Sequence, residues 1–266
     1  MCELFAMSSR VPTTIGLSMG RLASRGNPGG HLADGWGVAC YDGRDARILR
    51  EPEPAADSPW IRFIEGRRLR GHIALAHIRH ATQGGVVLAN TQPFARELGG
   101  RMHVFAHNGM LPGIEQTLGG ECRRFRPVGT TDSEVAFCAL LERLGPLWAE
   151  GAPGVAARLE AVRGFAAALR PIGPANFIYA DGDLLFAHGH RRTQADGRIA
   201  PPGLTMLRRS CAVDRDSLPE AGVAVEPEPG PQALCLFASV PLSDEAWRPL
   251  DEGEIVAVRD GDVVTA

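Results

Sequence analysis

The sequence predicts an α+β fold in which antiparallel sheets are covered by helices. Three observations predict it. Segments short enough for strands gather at both ends of the chain, two segments of helical periodicity occupy the centre, and Asp-Gly pairs mark tight hairpins. Strands do not alternate with helices and no internal repeat occurs, which argues against parallel βαβ units and repeat arrays.

Residues 2–7 alternate weakly, as a strand does. Pro12-Thr13-Thr14 reads as a helix opening, with Ile15, Met19 and Leu22 recurring on one face. After a glycine-rich loop, residues 35–41 and 47–50 read as strands separated by the Asp42-Gly43 turn. Ser58-Pro59 sets a capping hydroxyl before a proline at the first helical position, so a short helix through Trp60, Phe63 and Ile64 follows. The apolar runs 72–78 and 102–106 are short enough to be buried strands, and both end in polar residues.

Thr131-Asp132-Ser133-Glu134 is a capping-box pattern, opening a helix with Val135, Cys138, Leu141 and Leu144 on one face. A second helix over 155–169 carries a stripe of Val155, Leu159, Val162, Ala166 and Leu169. Segments 176–180, 183–187, 234–240 and 254–264 return to strand, with Asp181-Gly182 and Asp260-Gly261 as hairpin turns. The proline-rich stretch 226–231 resembles a linker, yet too few residues follow it to form a domain, so 1–266 reads as one domain.

With 266 residues, 44% hydrophobic content and a net charge of −3, the composition is that of an ordinary globular protein and suggests no nucleic-acid surface. No signal peptide is evident and no apolar run approaches the roughly 20 residues that span a bilayer, so a cytoplasmic protein without a membrane partner is expected. Six cysteines without a C-x-x-C spacing disfavour a zinc ribbon, a redox dithiol or a disulfide framework. The chain contains no lysine, which excludes Schiff-base chemistry, a P-loop lysine and a kinase strand lysine on this polypeptide. Gly35-x-Gly37 lacks the third glycine of a dinucleotide loop. His77-x-x-His80 and His188-x-His190 lack acidic or cysteine companions at ligand spacing, so neither cofactor nor metal is expected.

Cys2 is the most informative residue. Initiator methionine is normally trimmed before a small side chain, and its loss would place a thiol and a free α-amine on one residue. The amine, with a reference pKa of about 7.7–8.0, is then suited to exchange a proton with the sulfur, whose reference value is about 8.5. Arg79, ending the run 72–78, presents a fork suited to a carboxylate. Asn108 and Gly109, ending the next run, offer a side-chain amide and a close-approaching backbone N–H, the parts of an oxyanion hole. Asp132, at a helix start, is able to accept an ammonium. Each has a plainer reading: a solvated edge charge for Arg79, a turn for Asn108-Gly109, a helix cap for Asp132. Taken together they describe a site for an amino acid with a scissile side-chain acyl group, and glutamine fits.

The order of these segments carries a resemblance. Met1-Cys2-Glu3-Leu4, Arg25-Gly26, Asp34-Gly35-Trp36-Gly37, His77-Ile78-Arg79-His80-Ala81-Thr82, Asn90-Thr91-Gln92-Pro93, His107-Asn108-Gly109 and Thr131-Asp132-Ser133-Glu134 resemble the ordered motifs of the class II glutamine amidotransferases. The segment from Ala238 through Ser239 and Pro241 to Trp247 resembles a signature of their short, stand-alone bacterial branch. The resemblance implies an N-terminal-nucleophile hydrolase fold, an αββα sandwich of two antiparallel sheets between helical layers. It implies Cys2 as nucleophile and base, Asn108 and Gly109 as oxyanion donors, Arg79 and Thr82 on the α-carboxylate of glutamine, and Asp132 on its α-ammonium. The implied reaction forms a γ-glutamyl thioester, releases ammonia or another amine, and ends with hydrolysis to glutamate.

The sequence departs from the wider family at His80, Gln83 and Gln92, where larger synthases commonly show Trp, His and His. Those synthases continue into a large acceptor domain, so productive use of ammonia here implies a separate acceptor or synthase subunit. Two alternatives stay open: a γ-glutamyl-peptide hydrolase of thiol metabolism, and a catalytically silent module that binds an amino acid or regulates a partner.

Overall fold

Two antiparallel sheets lie face to face in the computed structural model, which describes residues 2–15, 22, 34–55, 58–61, 63, 69–81, 84–211, 223–224 and 232–264. The strands in chain order are β1 (Glu3–Ile15), β2 (Gly35–Asp42), β3 (Asp45–Glu51), β4 (Arg70–Arg79), β5 (Phe94–Leu98), β6 (Arg101–Gly109), β7 (Ala175–Ala180) and β8 (Leu185–His188). Then follow β9 (Arg192–Thr193), β10 (Ile199–Ala200), β11 (Thr205–Cys211), β12 (Val223–Ala224), β13 (Gln232–Ala238), β14 (Arg248–Pro249), β15 (Ile255–Arg259) and β16 (Asp262–Val263). An eight-stranded sheet runs β14-β11-β13-β1-β4-β2-β3, with β12 also on β1; a six-stranded sheet runs β16-β15-β8-β7-β6-β5; β9 and β10 form a separate hairpin.

Side-chain alternation divides the interior into three cores. Leu4, Ala6, Leu75, Val104, Ala106, Ile178 and Phe237 meet between the sheets. Phe5, Met7, Trp36, Ala76 and Leu236 face the other side of the eight-stranded sheet, where Leu22 and Ile61 cover them. A strand buried on both faces needs apolar residues at consecutive positions, which is why residues 4–7 are apolar without interruption. The third core lies beneath the helices α2 (Asp132–Leu144) and α3 (Val155–Leu169), which follow the short α1 (Ile114–Thr117). Phe105 there stacks on Phe137 at 5.4 Å and leans on Phe177 at 5.5 Å.

The expected turns form where a positive φ is needed. Gly43 (φ 64°) joins β2 to β3, and Asp260 (φ 51°) with Gly261 (φ 76°) joins β15 to β16. The predicted cap at Ser58 also holds, its Oγ accepting from the N–H groups of Trp60 and Ile61. The helix expected from Pro12 does not begin there. β1 continues through Ile15, pairing Thr13 with Gly71 and Thr14 with Ala224 after a register shift between Ser8 and Thr13. Met19 and the stretch 226–231 lie outside the described residues, whereas Leu22 is helical and buried. Among the described residues no helix is long and apolar enough to cross a membrane.

Candidate active site

Strand parity and register bring the candidate residues to one end of the sandwich. Leu4 and Ala6 of β1, Ile73 and Leu75 of β4, and Val104 and Ala106 of β6 all face the space between the sheets. The same alternation aims Cys2, Arg79 and Asn108 at that space. β1 pairs with β4 so that Glu3 lies opposite Ile78, and one further step sets Cys2 beside Arg79 and His80. The His80 backbone N–H reaches Cys2 Sγ at 3.3 Å.

Asn108 links the two sheets, its Nδ2 donating to the Cys2 carbonyl at 2.6 Å and lying 3.4 Å from Ser239 Oγ. Gly109 is confined by its neighbours: a Cβ built there would lie 1.8 Å from the Pro174 carbonyl oxygen, so only glycine lets β6 approach β7 this closely. Cys2, Asn108 and Gly109 line one cleft of about 130 Å³, together with His80, Met110, Pro174, Arg191, Arg192, Thr193 and Ile199. Burial pushes the Cys2 thiol above its ordinary range, and the His80 N–H only partly offsets this. The sulfur is therefore protonated at neutral pH until a base takes its proton.

Arg79 is buried at the end of β4 and donates to the Gly84 carbonyl at 3.3 Å, while its own carbonyl accepts from Asp34 N–H at 2.8 Å. Thr82, expected beside it, lies outside the described residues. Asp132 opens α2 immediately after the N-cap Thr131, whose side chain accepts from Glu134 N–H. The carboxylate of Asp132 accepts from Leu111 N–H at 2.8 Å and from Ser133 N–H at 2.7 Å. The reciprocal half of the expected capping box is absent, because Glu134 turns to Gly129 N–H and to Arg96 instead. Arg79 and Asp132 are not among the residues lining the cleft beside the thiol.

Several supporting residues were given no role in the site by sequence reasoning. Ser239 follows β13 and exchanges hydrogen bonds with Leu4 in both directions, N–H to Leu4 O and Leu4 N–H to Oγ, each at 3.0 Å. Arg192 donates to the Ser239 carbonyl at 2.6 Å and to the buried Glu3 carboxylate at 2.8 Å. Burial raises the Glu3 pKa to about 7 against the pull of Arg192. Asn176 donates to the Asn108 carbonyl at 3.0 Å and accepts from His190 N–H at 2.7 Å. Gln92 clamps the backbone of His107, accepting its N–H at 2.6 Å and donating to its carbonyl at 3.2 Å. Behind Asp132, His107 Nδ1 lies 2.9 Å from Ser133 Oγ, which in turn reaches Asp132 at 3.2 Å. Glu3, Gln92, His107, Ser133 and Ser239 lie in the segments that carry the family resemblance, whereas Arg192 and Asn176 carried no such signal. Among the described residues no group of three His, Cys, Asp or Glu side chains is placed to hold a metal ion.

Known proteins agree with this architecture. The family model for class II glutamine amidotransferases matches residues 1–266. YafJ of Escherichia coli (strain K12), a protein assigned to the glutamine amidotransferases, is 36% identical over 96% of both chains. The 2.0 Å crystal structure of a predicted glutamine amidotransferase from Pseudomonas aeruginosa PA01 superposes with a TM-score of 0.69 at 30% identity, covering 100% of both chains. Glutamine phosphoribosylpyrophosphate amidotransferase from B. subtilis shares the fold with a TM-score of 0.58 at 15% identity, this chain matching 48% of it. The sandwich is the N-terminal-nucleophile hydrolase fold, and the chain belongs to the class II glutamine amidotransferases.

Proposed function

We propose that this chain, acting as a single domain after loss of Met1, hydrolyses the γ-amide of glutamine through a cysteinyl thioester. The observation that carries the reading is the meeting of Cys2, Asn108 and Gly109 around one cleft, with Asn108 Nδ2 held 2.6 Å from the Cys2 carbonyl. The buried thiol gives its proton to the α-amine of Cys2, and the sulfur attacks the γ-carbonyl carbon. A C–S bond forms while the carbonyl π electrons move to oxygen, where Asn108 and Gly109 stabilise the charge. Collapse breaks the C–N bond, and the α-ammonium protonates the leaving ammonia. Water, deprotonated by the same amine, then cleaves the thioester, releasing glutamate and restoring the thiol.

Arg79 and Thr82 are assigned to the α-carboxylate of glutamine and Asp132 to its α-ammonium. Burial of the Arg79 guanidinium and the two backbone N–H groups fixing Asp132 support this by holding each charge in place. An acceptor for the ammonia, where one is used, is assigned to a separate synthase-type subunit. The test is glutamate release from glutamine by protein with Met1 removed against protein retaining it. The trimmed chain is expected to turn over and the extended chain to be inert, because its amine is locked in a peptide bond. Equal activity of the two forms would refute the reading.

A further inference from the structure

We propose that the groove between the edge strands β3 and β5 binds a small carboxylate ligand with an apolar tail, its carboxylate on Arg50. β3 ends the eight-stranded sheet and β5 ends the six-stranded sheet, so among the described residues no further strand covers the space between the sheets on this flank. The groove there measures about 570 Å³, within the range of small-molecule sites, and shares no lining residue with the cleft beside Cys2. Its floor is the rim of the core between the sheets: Ile48 of β3, Ala95 of β5 and Met102 of β6 pack against that core while only partly buried. Leu88 stands at the mouth, 50% exposed. Apolar side chains left open in a concave site of this size mark ligand contact.

The available charge sits at one end. Arg50 is half-buried, and its Nη1 donates to the Thr91 carbonyl at 2.7 Å, which places the guanidinium against the chain between the lining residues Leu88 and Pro93. That bond uses one of five N–H donors, and no carboxylate pairs with Arg50 among the described residues. Arg96 also lines the groove but is already matched, its Nη2 lying 2.6 Å from the Glu134 carboxylate. Burial lowers the Arg50 pKa, with Glu134 opposing the shift and Arg96 adding to it, yet a guanidinium keeps its charge at neutral pH. A half-buried cation without a counterion is suited to a carboxylate, which its fork can grip with two parallel bonds. Glu97, the acid in the lining, accepts from Gly100 N–H at 2.7 Å at the β5–β6 turn. Pro93 and Glu97 are separated by roughly 13 Å of extended chain, so this acid is removed from the Arg50 end. The wall beside Arg50 is fixed before any ligand arrives, because Asn90 accepts from Thr130 N–H at 2.8 Å and Gln92 from His107 N–H at 2.6 Å.

Calorimetric titration of the full chain tests the site with three probes: hexanoate, hexanamide, which keeps the tail without the charge, and acetate, which keeps the charge without the tail. Hexanoate is expected to bind about tenfold more tightly than either control. Arg50→Gln should weaken hexanoate by about tenfold and leave hexanamide within about twofold. Ile48→Ser, which leaves Arg50 in place, should weaken hexanoate and hexanamide alike by about threefold. Equal affinity for hexanoate and hexanamide overturns the proposal. Full hexanoate affinity in Arg50→Gln also overturns it, because the carboxylate then lies elsewhere, and so does unchanged binding of both tailed probes in Ile48→Ser. Absence of binding by every probe overturns it as well; should the wild-type chain then self-associate in sedimentation and Arg50→Gln not, the groove belongs to a second copy of the chain.

Discussion

The two halves of the site are built differently. The nucleophile half is tied by residues remote in sequence: Leu4 to Ser239, Glu3 to Arg192, Cys2 to Asn108. Its geometry is a by-product of strand register, shared by both sheets and costly to deform. The proposed head-group half draws on nearer segments: Asp132 is held by its neighbour Ser133 and by Leu111, 21 residues away, and the Arg79 side chain donates to Gly84 five residues away. One half is fixed by the whole fold, the other by a helix start and the loop after β4. The difference teaches where catalysis and affinity should separate: damage to the first half should fall on kcat, and damage to the second on KM.

The largest expected effect comes from Cys2→Ala, which should abolish turnover while leaving glutamine binding by calorimetry within a few fold of the parent. Retained activity would break the comparison at its root. Next is Asn108→Ala, expected to lower kcat by about 10²–10³ with little change in KM, as loss of an oxyanion donor does. In the opposite half, Asp132→Asn and Arg79→Gln each remove one partner of a charged hydrogen bond, worth about 1.5–3 kcal/mol, and should raise KM about tenfold or more. A change confined to kcat in either variant would show that the head group is held elsewhere.

Ser239→Ala is subtler and sharpens the contrast. It removes the acceptor of Leu4 N–H and the hydroxyl next to Asn108, while the Arg192 contact to the backbone carbonyl survives. A cost of about 1 kcal/mol, or roughly fivefold, is expected in kcat, with partial rescue in Ser239→Thr. An effect on KM alone would move Ser239 out of the nucleophile half.

A stability measurement probes the interior behind both halves. Burial lowers the pKa of His77 to about 3, of His188 to about 3 and of His103 to about 4. These groups stay neutral in the folded state while the unfolded chain protonates near pH 6.5, so stability is full above that pH and is lost as pH falls toward 4. The loss is about 1.4 kcal/mol per pH unit for each histidine, readable as a drop in urea midpoint between pH 7.5 and pH 5. An unchanged midpoint would contradict the burial of these side chains in neutral form.

What the sequence discloses follows the same division. Apolar runs and Asp-Gly pairs are local signals, so β4, β6 and the β15–β16 turn were legible, as were the polar residues that end the strands. β5 and β11 were not, because Phe94-Ala95-Arg96-Glu97-Leu98 and Thr205-Met206-Leu207-Arg208-Arg209 mix charged and apolar residues without clear alternation. Pro12-Thr13-Thr14 looked like a helix start, yet pairing with β4 and β12 overrode that local preference. The roles of Arg192 and Ser239 stayed hidden for a different reason. Arg192 carries no local pattern, Ser239 only a family resemblance without a role, and each acts only once remote segments, 189 and 235 residues apart, are in register.

The central claim is that the sulfur of Cys2 carries the glutamyl group. Acid quenching of trimmed protein during turnover of glutamine, followed by intact-mass and peptide analysis, tests it most directly. The account predicts one glutamyl increment on the N-terminal peptide, absent from Cys2→Ala and from protein retaining Met1. Steady glutamate release with no such adduct on Cys2 and full activity after alkylation of that thiol would contradict it.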